Sequence, residues 1–250
     1  MAPISPEGLV RIDGRDFYAI PDVDRMPPFL LSIVSDGDRW MFVSSEGSLT
    51  AGRRDSSRAL FPYETDDRLH DARGITGPVT SVLVDGNAGI WRPFRSDRAS
   101  VVNRRLAKAV AGNSVIFEED HPTVPLTFSY QWSSCDRFGF VRRSTMHNRS
   151  ATAIKVDIAD GVLNVMPWGV EPGTYQRMQN LTHAYKRSEI VAAAHGVAVY
   201  SVESRVADRP EPTEALRCTT IWSRGVDSFT VSLDPSSLID FETEIGRAHV

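Results

Sequence analysis

The sequence predicts a mainly β protein, a large antiparallel β-sandwich with one or two short helices. Three observations lead there: apolar and polar residues alternate along several stretches, turn-forming clusters separate those stretches at short intervals, and helical spacing surfaces at very few places. With 250 residues, 41% of them hydrophobic, the chain is long enough to bury a sizeable core. Strand and helix never alternate as a doubly wound sheet requires, and no GxGxxG or phosphate loop occurs, so no nucleotide or other cofactor is expected.

Residues 1–28, rich in proline and charge, are expected to wrap the surface, with one extended stretch at Phe17–Ile20; a sandwich domain is expected over 29–243. Phe29–Val34 and Trp40–Val43, joined by Ser35-Asp36-Gly37-Asp38, read as a hairpin. Val79–Val84 and Gly89-Ile90-Trp91 read as a second strand pair around Asp85-Gly86-Asn87, whereas Asn103–Ala111 is read as a turn or two of helix. The clearest signal is Leu126, Phe128, Tyr130 and Trp132 alternating with Thr127, Ser129 and Gln131, the period of a strand with one buried and one polar face. Phe138–Met146 and the alternation Thr152–Ile158 extend this into an antiparallel sheet, with Asp160-Gly161 ending the last strand. Met178, Leu181 and Tyr185 give a helix over Tyr175–Arg187, and Val197–Val202, Leu216–Trp222 and Ser228–Leu233 are further strands around the acidic loop Asp208–Pro212. Glu244–Val250 reads EIGRAHV, which one frame of a common sequencing adapter would encode, so 244–250 is expected to be a non-native tail on an N-terminal fragment of a longer chain.

Composition excludes several classes. Net charge is -4 with both signs interspersed, so no basic footprint for nucleic acid is present. No stretch approaches eighteen apolar residues and the N-terminus lacks a secretory pattern, so a cytoplasmic protein without a membrane partner is expected. Cys135 and Cys218 lie far apart with no ligand spacing, and both are expected to be buried thiols rather than zinc ligands or a disulfide. Oligomeric state, a homo-oligomer included, is left open.

The densest chemistry lies in Ser45–Ala72, SEGSLTAGRRDSSRALFPYETDDRLHDA. Arg53, Arg54 and Arg58 carry planar forks that match carboxylates, phosphate or sugar hydroxyls. Phe61-Pro62-Tyr63 offers an apolar wall, and Glu64, Asp66, Asp67 and Asp71 offer acceptors. Arg53, Arg58, Tyr63, Asp66 and Asp67, with Trp168 in the Pro167-Trp168-Gly169 loop, are the candidate substrate-binding residues. The same residues would equally fasten a loop through its own ion pairs. A hard-cation reading of Asp66, Asp67, His70 and Asp71 lacks the spacing of an EF-hand, and no metal is expected.

Three segments together, SLTAGRRDSSRALFPYETDDRLHD, TFSYQWSSCDRFGFVRRSTMHNRSATAIKVDIADGVLNVMPWG and DRPEPTEALRCTTIWSRG, resemble the N-terminal β-supersandwich domain of cellobiose-phosphorylase-like, six-hairpin glycosidase proteins. The resemblance covers most of residues 29–233 and implies a galactose-mutarotase-like fold packed on an (α/α)6 barrel absent from this chain. It implies a carbohydrate partner, with inorganic phosphate or water attacking the anomeric carbon, and a general acid supplied by the barrel. No carboxylate here matches that acid, so no catalytic residue is carried over.

Two other classes compete. A self-contained mutarotase-like epimerase would need a histidine and a carboxylate as proton shuttles, with His70, His147 and His183 as candidates. A carbohydrate-binding module would stack pyranose rings on tryptophan, and Trp168 is expected to be more exposed than Trp132, which lies in phase with Leu126 and Phe128.

Overall fold

In the computed structural model, residues 4, 7–84, 89–95, 102–203 and 217–247 are described. In chain order they form β1 (Gly8–Ile12), β2 (Arg15–Ile20), β3 (Leu30–Ile33), β4 (Arg39–Ser44), β5 (Leu49–Arg53), α1 (Asp66–Asp71), β6 (Gly77–Val84), β7 (Ile90–Trp91), β8 (Asn103–Ala109) and β9 (Ser114–Asp120). Then follow β10 (Leu126–Cys135), β11 (Gly139–Asn148), β12 (Val156–Leu163), α2 (Pro172–Arg177), α3 (Gln179–Tyr185), β13 (Lys186–Ala192), β14 (Val197–Val202), β15 (Thr219–Ile221) and α4 (Ser236–Arg247). Strand dominates, as expected, and every pairing among the described strands is antiparallel.

The largest sheet has six strands in the order β1-β2-β8-β9-β10-β11; three-stranded sheets β3-β4-β5, β12-β6-β7 and β13-β14-β15 complete the set. One face of the large sheet presents Leu106, Val115, Phe117, Phe128, Tyr130 and Trp132 to the main core. The same core takes Ile33, Met41, Val43 and Leu49 from β3-β4-β5, and Val82 and Val84 from β6. Sheets joined through one apolar layer make a β-sandwich, the arrangement in which alternating strands keep their apolar faces dry.

Several expectations change. The segment 1–28 supplies two strands of the large sheet: Asp13-Gly14, with φ of 47° and 77°, makes a two-residue turn between β1 and β2. Phe17 and Ala19 are fully buried on the second face of that sheet, together with Ala107 and Ile116. Asn103–Ala109 is strand β8 rather than helix, because it pairs residue by residue with β9, Leu106 opposite Phe117 and Lys108 opposite Val115. The polar face of β10 is buried too, with Thr127, Ser129 and Gln131 all closed to water and Gln131 donating to Ser114 Oγ at 2.6 Å. The stretch Thr152–Ile158 does not continue the β10–β11 sheet: Asn148 Oδ1 accepts from Ser150 N at 2.9 Å, the chain turns away, and β12 pairs with β6, running through Asp160-Gly161 to Leu163.

The single helix expected over Tyr175–Arg187 is two, broken at Met178 (φ -132°, ψ 43°), and Lys186–Arg187 already belong to β13. Ser228–Leu233 is not a strand; Asp234 accepts from Ser236 N at 2.9 Å and starts α4, which runs across the expected boundary after Thr243 to Arg247. Both cysteines are free, but neither is buried: Cys135 is half-buried and Cys218 exposed. The Asp85-Gly86-Asn87 turn and the Asp208–Pro212 loop lie outside the described residues. Among the described residues, no helix is long and apolar enough to cross a membrane.

Candidate functional site

The window Ser45–Ala72 starts where β4 turns into β5 and ends with α1. Its arginines are engaged locally. Arg53 places a two-pronged fork on Asp38 (3.1 and 2.9 Å), with Arg54 3.7 Å from the same carboxylate, and Arg58 pairs with Asp55. Asp55 also accepts from Ser57 N at 3.2 Å, closing a 3₁₀ turn at Ser56–Arg58. The Arg53 hydrogen bond holds the Asp38 carboxyl below its usual range, the Ser57 hydroxyl does the same for Asp55, and Thr65 for Asp67. Asp66 lies 3.4 Å from His70 Nε2, one helical turn on. Asp66 and Asp67 therefore stand apart from Arg53 and Arg58, and the four polar candidates converge on no common point.

His70 Nδ1 also lies 2.8 Å from Ser44 Oγ, completing a Ser–His–Asp series. Ser44 is fully buried and accepts from Glu46 N at 3.2 Å, so no substrate reaches its oxygen. The series fastens α1 onto the end of β4, helped by Ser48 Oγ donating to the Leu69 carbonyl. His147 is exposed on β11, and His183 lies on α3 edge-on to Tyr175, 5.9 Å between centroids, so the three histidines sit on three different elements. No group of three or more His, Cys, Asp or Glu among the described residues is arranged to hold a metal ion.

Tyr63 and the Trp168 loop are drawn to one side of the molecule, because Met166 N donates to the Leu60 carbonyl at 2.8 Å. Tyr63, 45% exposed, meets Trp40 edge-on and lines a shallow groove with Pro62, Met166, Pro172, Tyr175 and Gln176. Trp168 is half-buried beneath the Arg217 guanidinium, 5.9 Å from the ring centroid. Trp222 is the more exposed tryptophan, at 41%, whereas Trp91 and Trp132 are core residues.

A second concavity lies elsewhere. A cleft of about 200 Å³ opens between the β4–β5 turn, the segment after α1 and the edge of β8–β9. Glu46 and Arg73 form an ion pair on one wall, Asp24 and Arg104 stand on the others, and Phe94 supplies aromatic surface, backed edge-on by the buried Phe117. Behind two of its lining residues, Phe94 and Arg104, lies Glu119 of β9, a carboxylate 1% exposed. Glu119 accepts from Trp91 Nε1 (3.0 Å), Phe94 N (2.8 Å) and Arg104 Nε (2.6 Å), so burial leaves it fully partnered. Phe94 is held at φ 64°, a left-handed conformation a bulky residue adopts only under constraint, and the Glu119 bond to its N–H supplies that constraint.

On the opposite face of the same strands, Arg105 bonds Glu118 (2.8 Å) and both oxygens of Asp120 (2.8 and 3.0 Å). Burial alone would raise the Asp120 carboxyl, but Arg105 and Thr127 keep it below its usual range. These residues escaped the sequence reading because an Arg-Arg pair and a Glu-Glu-Asp run look like solvated charge until the β8–β9 register places Arg104 opposite Glu119 and Arg105 opposite Glu118. The chain matches no protein-family model and no curated protein.

Proposed function

We propose that this chain is the non-catalytic, sugar-recognising sandwich of a carbohydrate-active enzyme, a glycoside phosphorylase or hydrolase acting on β-linked oligosaccharides, whose catalytic acid resides in a separate barrel domain. The observation that carries this reading is the two-sided chemistry of the cleft. Phe94 offers apolar surface to the C–H face of a pyranose, while Glu46, Arg73 and Asp24 present acceptors and forked donors to its hydroxyls. Preorganisation favours the same site, since Glu119 fixes Phe94 and Arg104 before any ligand arrives. The resemblance of the three sequence segments adds the class of enzyme and the expectation of phosphate or water as the attacking group.

Calorimetric titration with a β-linked disaccharide tests the reading. Saturable binding is expected, weakened about tenfold by Glu46→Gln, the loss of roughly 1.4 kcal/mol that one charge-assisted hydrogen bond supplies. The chain is expected to release no product from the same sugar with phosphate or water, because the acid that protonates the leaving oxygen lies outside it. Absence of binding at millimolar sugar, or turnover that survives repurification, overturns the proposal.

A further inference from the structure

His121, directly after β9, is a buried histidine that holds the turn into β10. Its backbone N–H donates to the Leu126 carbonyl at 2.9 Å, and its Nδ1 accepts from both Thr123 N (3.1 Å) and Val124 N (3.0 Å). Residues 122–125 read Pro-Thr-Val-Pro, so these two amides are the only backbone donors in the turn, and both end on one ring nitrogen. An imidazole nitrogen accepts only while it carries no proton, which fixes the neutral form with its hydrogen on Nε2. The same ring meets Trp91 of β7 edge-on, 5.0 Å between centroids, and Trp91 Nε1 donates to Glu119 Oε1 at 3.0 Å. Glu119 Oε2 in turn holds Phe94 N at 2.8 Å and Arg104 Nε at 2.6 Å, so the turn is joined to two residues that line the cleft.

The charged groups on the elements packed about His121 are already paired. Asp120 beside it accepts from Arg105 and Thr127, and Glu119 is filled by its three donors. Arg92 after β7 grips Glu242, Arg149 after β11 stands 3.9 Å from Asp120, and β7 and β10 themselves carry no charged residue. Nothing there offers an imidazolium a counter-charge, and burial lowers the His121 pKa from its ordinary 6.5. We propose that His121 is a proton-operated latch on the cleft: a proton taken from solvent onto Nδ1 releases Thr123 and Val124, swings the ring off Trp91, and loosens the hold of Glu119 on Phe94 and Arg104. Neutral His121 stabilises the latched form fully above 6.5, and that contribution is lost as pH falls through the lowered value. The latch acts on the lining of the cleft whatever ligand the cleft takes, so it does not rest on the sugar reading.

The test is amide exchange, followed by NMR on the full chain without sugar from about pH 7.5 to about pH 4.5, each rate divided by that of the unfolded chain at the same pH. Protection at Thr123, Val124 and Phe94 is expected to fall together, by up to about tenfold for each pH unit below 6.5, until the lowered value is passed. His121→Asn, which offers an oxygen where Nδ1 stands but takes up no proton, is expected to hold protection constant at all three positions. Constant protection in the unaltered chain, a fall confined to Thr123 and Val124, or an equal fall in His121→Asn overturns the proposal. Should His121→Asn fail to fold, the ring signals of His121 in the unaltered chain decide instead. The fall at Phe94 is expected to level off where the ring takes up its proton; a fall that continues past that point overturns the proposal.

Discussion

Two regions are rich in arginine and carboxylate, and they use them in opposite ways. In Ser45–Ala72 the pairs form on the surface, Arg58 with Asp55 and Asp66 with His70 within one turn and Arg53 with Asp38 across the hairpin. On β8–β9 they form across strands and inside the protein, with Arg104 on Glu119 and Arg105 on Glu118 and Asp120. A crowded sequence is therefore no sign of a converging site. Convergence comes from register, which sets Arg104 opposite Glu119 fifteen residues away.

The largest expected effect follows from burial. Glu119→Ala removes the acceptor of three donors and leaves the Arg104 guanidinium, 11% exposed, without its counter-charge, so a loss of about 3–5 kcal/mol is expected in urea unfolding. Any loss below about 1 kcal/mol would mean that the cleft wall stands without its carboxylate, and the contrast between the two regions would collapse. Next in size is Gly52→Ala in the window's strand. A Cβ there would sit 2.5 Å from Trp40, 2.7 Å from the Arg58 carbonyl oxygen and 2.8 Å from Ala59 Cα. Two of those three obstacles are backbone, so about 1–3 kcal/mol of destabilisation is expected, measured the same way. The window thus depends on a close approach of chains more than on its charges.

A pH titration probes α4, the intermediate case. The Arg92 hydrogen bond is the main cause holding the Glu242 carboxyl below its ordinary value of 4.5. A depressed carboxylate stabilises the docked helix fully above that ordinary value, and the contribution is lost as pH falls through the lowered one. Arg92 and Arg95, which face it, stay charged throughout. Amide protection in 238–243 should hold through pH 4.5 and fail only in stronger acid, and Glu242→Gln should lose that dependence. Release already above pH 4.5 would mean that Arg92 does not hold the helix.

Much of the fold was legible because strand pairing left local marks. Phe128, Tyr130 and Trp132 do share the core face, and β4, β6 and β14 fall where apolar runs meet turn residues. Two errors had readable signals: Asp13-Gly14 is the two-residue turn that favours a tight hairpin, and Asp234-Pro235 is a helix-start pair. The exit of β12 to a second sheet had none, because which strand Val156–Leu163 joins depends on contacts with Gly77–Val84, far away in sequence. The window singled out in the sequence barely touches the cleft. Only its first residues, Ser45 and Glu46, reach the cleft; the partner wall comes from Phe94, Arg104 and Phe117, whose meeting is a matter of tertiary register.

The smallest expected effect is the sharpest test of the comparison. Arg58 and Asp55 form a solvent-facing pair three residues apart, and Asp38 faces Arg53 and Arg54 in the same open setting. Water screens such pairs and each long side chain loses rotamer freedom in making them, so little net stability follows. Arg58→Gln, Asp55→Asn and Asp66→Asn are each expected to leave the melting temperature within error of the unaltered chain. In double-mutant cycles, Arg58→Gln should couple weakly with Asp55→Asn and should be additive with Asp66→Asn, because Asp66 turns to His70 instead. Clear coupling between positions 58 and 66 would place their side chains in contact, make the window a converged polar recess, and favour Arg58 and Asp66 over the cleft as ligand-binding residues.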